Sequence, residues 1–356
     1  MHEGIVSPKT RQPLIEVQTV GEYIRRVQRD DGEIPWSDGN MTDPWDHVES
    51  AMGLTVAGFH EEAREAYAWS SRNQLPDGSW WAAYWAGEPE NGTYKDANMT
   101  AYVAVGVLHY FLCTGDHGFL RTMWPCLSRA MEFVIGLQRE TGEVRWAKRA
   151  DGSTARRSLL TGSSSIYMSL TCALKIASLL DEKRPRWEIA RLKLGHAIRF
   201  RSDLFDRTKE RYSMDWYYPV LCGAIQGTAA GERIASGWER YTVEGWGALC
   251  VSDKPWVTMA ETSELVMALA ATGELKTAEA LFDWIRDKRY DDGAYWTGVN
   301  LPDREIYTQE KTTWTGAAVL LAADMLYGLT PAGRLFSHDF WKPFPFVDAH
   351  TGKKLG

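Results

Sequence analysis

The sequence predicts an all-α fold, an (α/α)6 toroid in which six helical hairpins form an inner and an outer ring. Three observations carry this. Apolar residues recur at helical period from end to end, while alternating β-branched runs are nearly absent. The helices pair, an amphipathic member leading into a more apolar one. The connections are asymmetric, long and aromatic within a pair but short between pairs. Self-similarity at a spacing of roughly 40–70 residues is the mark of a repeat array.

In chain order, the first members fall at roughly 14–29, 60–74, 118–139, 186–206, 233–250 and 275–288. The second members fall at roughly 44–58, 98–114, 161–180, 217–228, 259–272 and 311–328. The helix at 44–58 opens on Asp43-Pro44, a favoured N-cap followed by a favoured first helical residue. Its stripe Val48, Met52, Val56, with Ala51 and Leu54 beside it, reads as buried on most sides. The short links are Gly58-Phe59, TGDHG at 114–118, DEKRP at 181–185, AAGE at 229–232 and ATGEL at 271–275. Several long loops carry a D-G or T-G turn before an aromatic residue: Asp31-Gly32, Asp77-Gly78, Thr141-Gly142 and Asp292-Gly293. Parallel hairpins place every long loop, and every inner-helix N-terminus, on one face. That face is a funnel.

No linker divides the chain, so residues 1–356 read as one catalytic domain, with 330–356 as a C-terminal tail packed on it. A net charge of -7 and a pI near 5.7 argue against nucleic acid or an anionic membrane as partner. Five cysteines, none at C-x-x-C spacing, read as reduced core residues and point to the cytoplasm. The N-terminus has no apolar signal core, and no continuous apolar run is long enough to span a membrane. Oligomeric state leaves no trace in the sequence.

The composition is rich in rings, with 17 Trp, 15 Tyr and 11 Phe. Many of the Trp lie in polar loops beside Asp, Gly and Asn. A funnel lined by Trp36, Trp45, Trp80, Trp81, Trp85, Trp146, Trp216, Trp256, Trp296 and Trp314 offers flat apolar faces to sugar rings. The expected partner is therefore an oligo- or polysaccharide, and neither a metal nor a cofactor is expected.

Glycosidic cleavage needs two carboxylates, and those at inner-helix starts are Asp43, Asp46, Asp96, Asp215, Glu261, Glu264 and Glu310. Asp43-x-x-Asp46 and Thr258-x-x-Glu261 also fit capping boxes, a purely structural use of the same residues. A helix N-terminus keeps a carboxylate ionised, which suits a base, whereas an acid needs desolvation. Glu261 has the more apolar neighbours, Trp256, Val257, Met259 and Ala260. That contrast assigns Glu261 as acid and Asp46 as base, with Glu264 the next candidate. Asp96, Asn98 and Tyr102 in KDANMTAY, and Asp215, Trp216 and Tyr217 in MDWYYP, read as sugar binders or as further caps. His47 reads as a wall residue of the substrate site. Carboxylates opposed across a wide mouth leave room for water, the inverting geometry.

Other functions share such toroids. NQLPDGSWW at 73–81 looks like the Q-x-x-D-G-x-W repeat of terpene cyclases, and protein prenyltransferases use the same scaffold. The D-x-D-D and D-D-x-x-D motifs of that chemistry are absent. A sugar epimerase would want several histidines at inner-helix starts, where only His47 qualifies. A non-catalytic glycan-binding toroid has the same composition as a hydrolase.

Across DPWDHVESAMGL, LPDGSWWAAYW, KDANMTAY, MDWYYPVL and WVTMAETSELVMAL, the chain resembles the actinobacterial methylmannose polysaccharide hydrolases. The resemblance implies cleavage of internal α-1,4-mannosidic bonds in a partly O-methylated mannan. It also implies that Asp46 and Glu261 are the catalytic pair.

Overall fold

The computed structural model describes residues 15–90 and 93–342, and the backbone of 346–347 and 354–355. Among these residues the outer helices are α1 (Val17–Val27), α3 (His60–Asn73), α6 (His117–Gly136), α8 (Pro185–Phe200), α10 (Gly227–Tyr241) and α12 (Leu275–Asp283). They alternate with inner helices α2 (Pro44–Val56), α4 and α5 (Ala97–Ala101 and Val103–Thr114), α7 (Leu160–Leu179), α9 (Ser213–Leu221), α11 (Met259–Thr272) and α13 (Thr313–Tyr327). The inner helices pack in sequence, α2 on α5, α5 on α7, α7 on α9, α9 on α11 and α11 on α13, and α13 returns to α2. The toroid is closed. The outer helices lean on it in turn: α3 on α2, α6 on α4 and α5, α8 on α7, α10 on α9, α12 on α11, and α1 on α13.

The inner helices are apolar all round because they are covered all round. In α2 every residue from His47 to Val56 is buried, and in α13 every residue from Thr315 to Asp324. The α2–α13 seam is tight enough that a side chain on Gly53 would meet Ala317 at 2.7 Å. The segment Ala97–Thr114 has the length and composition to cross a membrane. Here it is an inner helix pair packed between α2 and α7.

The D-G turns prove to be clamps between neighbouring outer helices. Gln74 Nε2 donates to Gly78 O at 2.9 Å and to Cys126 O on α6 at 2.8 Å. Gln28 and Gln138 repeat the pattern, reaching Glu62 O and Ala190 O on the next outer helix. Gly78 must be glycine: its φ is +89°, and an added Cβ would lie 2.2 Å from Arg129 O. The cyclase-like repeat is thus an outer-ring fastening and carries no chemistry.

Some boundaries differ from those expected. The fourth inner helix runs from Ser213 to Leu221 rather than over 217–228, because Gly223 turns the chain at φ +68°. The next outer helix therefore starts at Gly227, ahead of what reads as a link at 229–232, absorbs that link, and ends at Tyr241 rather than at 250. Position 14, the expected start of the first helix, lies outside the described residues.

Short strands decorate the funnel rim. A hairpin, β1 (Tyr84–Trp85) with β2 (Glu88–Pro89), precedes β3 (Tyr94–Asp96), which pairs with β4 (Ala147–Arg149). A five-stranded antiparallel sheet follows in chain order: β5 (Thr242–Val243), β6 (Gly247–Leu249), β7 (Trp256–Thr258), β8 (Gly298–Asn300) and β9 (Glu305–Ile306). Strand β7 feeds directly into α11 and fixes where that helix begins.

All inner-helix starts lie on one face. Thr161 N at the start of α7 donates to Asp215 of α9, Thr313 N of α13 to Trp36 O, and Met259 N of α11 to Thr297 O. The opposite end is closed by residues 330–342. Leu335, Phe336 and Trp341 are buried there, and a ring nitrogen of His338 lies 2.7 Å from Val220 O near the end of α9. The expected packing of the tail beyond 342 lies almost wholly outside the described residues.

Candidate active site

The first turns of α2 place three acids on one face at i, i+3 and i+6: Asp43, Asp46 and Glu49. Asp43 is fully engaged. Its Oδ1 accepts from Trp45 N at 2.8 Å and Asp46 N at 3.0 Å, and its Oδ2 from Trp36 Nε1 at 2.6 Å. It is a helix cap that also holds the Trp36 ring in place.

Asp46 is half-buried at the base of the funnel. Its pKa is raised well above the usual carboxylate value, first by desolvation and then by the charge and hydrogen bond of Asp43, with Glu49 and Glu264 adding to it. This corrects the expectation that the helix terminus keeps Asp46 ionised. A helix terminus is worth about 0.3–1 kcal/mol, less than the roughly 1.4 kcal/mol of a single pKa unit. Desolvation beside three acidic neighbours wins.

One turn deeper, Glu49 is buried and its pKa is pushed up to about 8, chiefly by desolvation and also by Asp43 and Glu261, while the Trp45 side chain opposes the rise. Facing it, α11 presents Glu261 and Glu264 at i, i+3. Glu264 is buried and accepts from the Tyr217 hydroxyl. Desolvation, Glu49 and Glu261 raise its pKa well up, against hydrogen bonds from Tyr217 and Tyr218. Glu261 is half-buried and accepts from the Thr258 hydroxyl. Thr258 makes no side-chain bond to the helix backbone, so the capping box expected there does not form. At α2 half of such a box forms, through Asp43.

Trp45 lies over this group, 5.5 Å from the Tyr102 ring and 5.8 Å from that of Tyr218. The hydroxyls of Tyr102, Tyr217 and Tyr218 all have pKa values raised by burial, so they stay protonated as donors. Beside Trp45 a cavity of about 130 Å³ opens between the starts of α2, α4 and α7, walled by Asp96, Asn98, Met99, Trp146 and Ile166 among others. Asp96 caps α4 through Asn98 N and Met99 N, and desolvation lifts its pKa to about 6. Glu310 accepts from Ser37 Oγ at 2.7 Å and Asn40 Nδ2 at 2.5 Å, joining the loops of the last and first hairpins.

The structure brings Trp36, Asp43, Trp45, Asp46, Asp96, Asn98, Tyr102, Tyr217, Glu261 and Glu264 to the funnel, and it removes others. Trp216 is buried, stacks on Tyr241 at 5.1 Å and donates to Arg233 O, so it packs between α9 and α10 rather than toward a ligand. His47 is buried with both ring nitrogens on backbone, Nδ1 taking Ile34 N and Nε2 facing Ala66 O, and burial lowers its pKa to about 4. It ties α2 to the outer ring. Asp215 spends Oδ1 on the Thr161 amide and hydroxyl, capping α7. Trp80 is a core residue bonded to Ser70 O. Trp81 sits half-buried under Lys95 Nζ at 4.9 Å. Trp256 is fixed to Tyr307 O across the rim sheet. Trp314 stands on the first turn of α13 with its indole N–H unpartnered.

Glu49 and Tyr218 are missing from the sequence-derived site. The signal for Glu49 was present, since it continues the i+3 spacing from Asp43 and Asp46. Among the described residues no group of three or more His, Cys, Asp or Glu is disposed to hold a metal.

No family model matches the chain. A search of solved structures finds glycosidase toroids. A GH63 mannosylglycerate hydrolase from Thermus thermophilus, in complex with glucose, has a TM-score of 0.69 at 13% identity, covering 86% of this chain and 99% of that one. A glycosidase solved in complex with glucose has a TM-score of 0.67 at 14% identity, covering 88% and 96%. At such identities the likeness shows the fold. Sequence goes further: the MMP endo-(1,4)-3-O-methyl-alpha-D-mannosidase of Mycolicibacterium hassiacum is 46% identical over 333 residues, 94% of this chain and 90% of that protein. With its acid-floored funnel on a glycosidase toroid, the chain belongs to the methylmannose polysaccharide endo-mannosidase family of glycoside hydrolases.

Proposed function

We propose that the protein hydrolyses internal α-1,4-mannosidic bonds of a 3-O-methylated mannan by single displacement, in the reducing environment that five free cysteines suit. The observation that carries this is the set of carboxyls on α2 and α11 at the base of an aromatic funnel. Helices α2 and α11 are separated in the inner ring by α13. Asp46 and Glu261 therefore approach a bound sugar from different sides.

The electrostatics favour an assignment opposite to the one expected from sequence. Asp46, with its raised pKa, protonates the departing glycosidic oxygen. Glu261, half-buried with Thr258 fixing its carboxylate, takes a proton from the attacking water. Glu49 and Glu264 lie beneath the pair and set its field, and Tyr217 orients Glu264.

The test is a panel of α-1,4-manno- and α-1,4-gluco-oligosaccharides, with and without 3-O-methyl groups, with products resolved by mass. The methylated mannan should be cut internally, and Asp46→Asn and Glu261→Gln should each lower kcat by about 10²–10⁴-fold while retaining substrate binding. Exclusive release of terminal units, or no cleavage of any mannan, would overturn the reading.

A further inference from the structure

The cavity beside Trp45 is unlike the rest of the funnel floor. Its walls are mainly apolar, from Met99, Val144, Trp146, Leu159 and Ile166, yet it borders the turn that carries Asp46. Two of its lining residues, only 5% and 2% exposed, carry buried polar atoms without partners: Asn98 Oδ1 and Ser163 Oγ. Buried polar groups are normally satisfied, and a hydroxyl entering the cavity beside them is a partner that both could take. A bare sugar edge, all hydroxyls, would waste the apolar walls. A purely apolar ligand would leave Asn98 and Ser163 orphaned.

Resting on the activity proposed above, we infer that this cavity is a methoxy-recognising subsite: the O-methyl carbon of one mannosyl unit seats against Met99, Leu159 and Ile166 while a neighbouring free hydroxyl bonds Asn98 and Ser163. Placed against Trp45, the occupied subsite anchors the chain next to the scissile bond. The methyl preference of the enzyme is thereby set at the reacting end of the funnel rather than along its rim.

Gly162, on the first turn of α7, provides the test. It lines the cavity, its φ is unstrained, and an added Cβ would lie 3.5 Å from Asn98 Cβ, an ordinary contact. Gly162→Ala therefore takes methyl-sized room without forcing the backbone. One methyl-sized group in an apolar pocket changes discrimination by about 10–200-fold. The wild type should prefer 3-O-methylated over unmethylated α-1,4-manno-oligosaccharides of equal length by at least about tenfold in kcat/KM. Gly162→Ala should collapse that ratio toward one. Val144→Ile, which adds a carbon from another wall, should move the ratio in the same direction. A wild type indifferent to methylation, or variants that scale both rates by one factor, would overturn the subsite while leaving the mannosidase reading intact. Cleavage of neither oligosaccharide would overturn the activity and the subsite's occupant with it.

Discussion

At the scale of single residues, the carboxyls of the funnel floor stand close enough to raise the pKa values of Asp46, Glu49 and Glu264. The pKa of Asp46 is raised by desolvation and then by its neighbour Asp43, through both charge and hydrogen bond. Asn caps helices as well as Asp does. Asp43→Asn should therefore keep α2 intact yet lower the pKa of Asp46. Activity that needs protonated Asp46 fades as pH rises through that pKa, so the alkaline limb of kcat/KM should move to lower pH; an unmoved limb would remove Asp46 from the acid role. Trp216 is the opposite kind of residue. Truncating a buried aromatic costs about 3–5 kcal/mol, so Trp216→Ala should show its effect in thermal unfolding rather than in KM for the glycan. The positions of Asp43, Asp46, Glu261 and Glu264 were legible because helix starts and i+3 spacing are written in the sequence. The orientation of Trp216 was not, since Met-Asp-Trp-Tyr-Tyr-Pro does not say which ring turns toward the axis. The raised pKa of Asp46 was equally hidden: part of the rise comes from Glu264, more than 200 positions away along the chain.

At the scale of elements, the hairpin pattern was read from helical periodicity, and α2, α3, the α4–α5 pair, α11 and α13 begin and end within a few residues of expectation. The rim sheet was not, because strands of two or three residues have no periodicity to detect and are held by pairing with distant partners. The fragment at 73–81 looks like a cyclase repeat in sequence, but its partners make it a clamp between outer helices. Gln74 is the clearest case, tying its own turn to Cys126 O while Arg129 Nε donates to its Oε1 at 3.0 Å. Gln74→Ala should leave the Gly78 and Cys126 carbonyls without this donor and destabilise the protein by about 1–3 kcal/mol, with kcat unchanged in the folded fraction. Denaturant unfolding and steady-state rates on the same preparation decide it. A large loss of kcat at unchanged stability would mean that the clamp reports to the site.

At the scale of the whole molecule, the toroid is closed by α13 on α2, and its axis carries buried acids that favour function over stability. Glu49 has a folded pKa near 8, above the ordinary 4.5 of a free side chain. The folded state thus holds a proton that the unfolded chain releases, and stability is lost as pH rises from about 4.5 toward 8. Glu49→Gln, which never ionises, should raise the melting temperature at pH 8 clearly more than at pH 5; an equal gain at both would deny the buried proton. The same architecture makes the central claim measurable. In the proposed mechanism Asp46 on α2 and Glu261 on α11, with α13 between them, act from different sides of the sugar with a water between, the arrangement that inverts the anomeric carbon. The direct measurement is NMR of the first-formed product from an α-1,4-linked methylated manno-oligosaccharide, taken before mutarotation. A β-anomer at the new reducing end is the predicted result, and an α-anomer would contradict it.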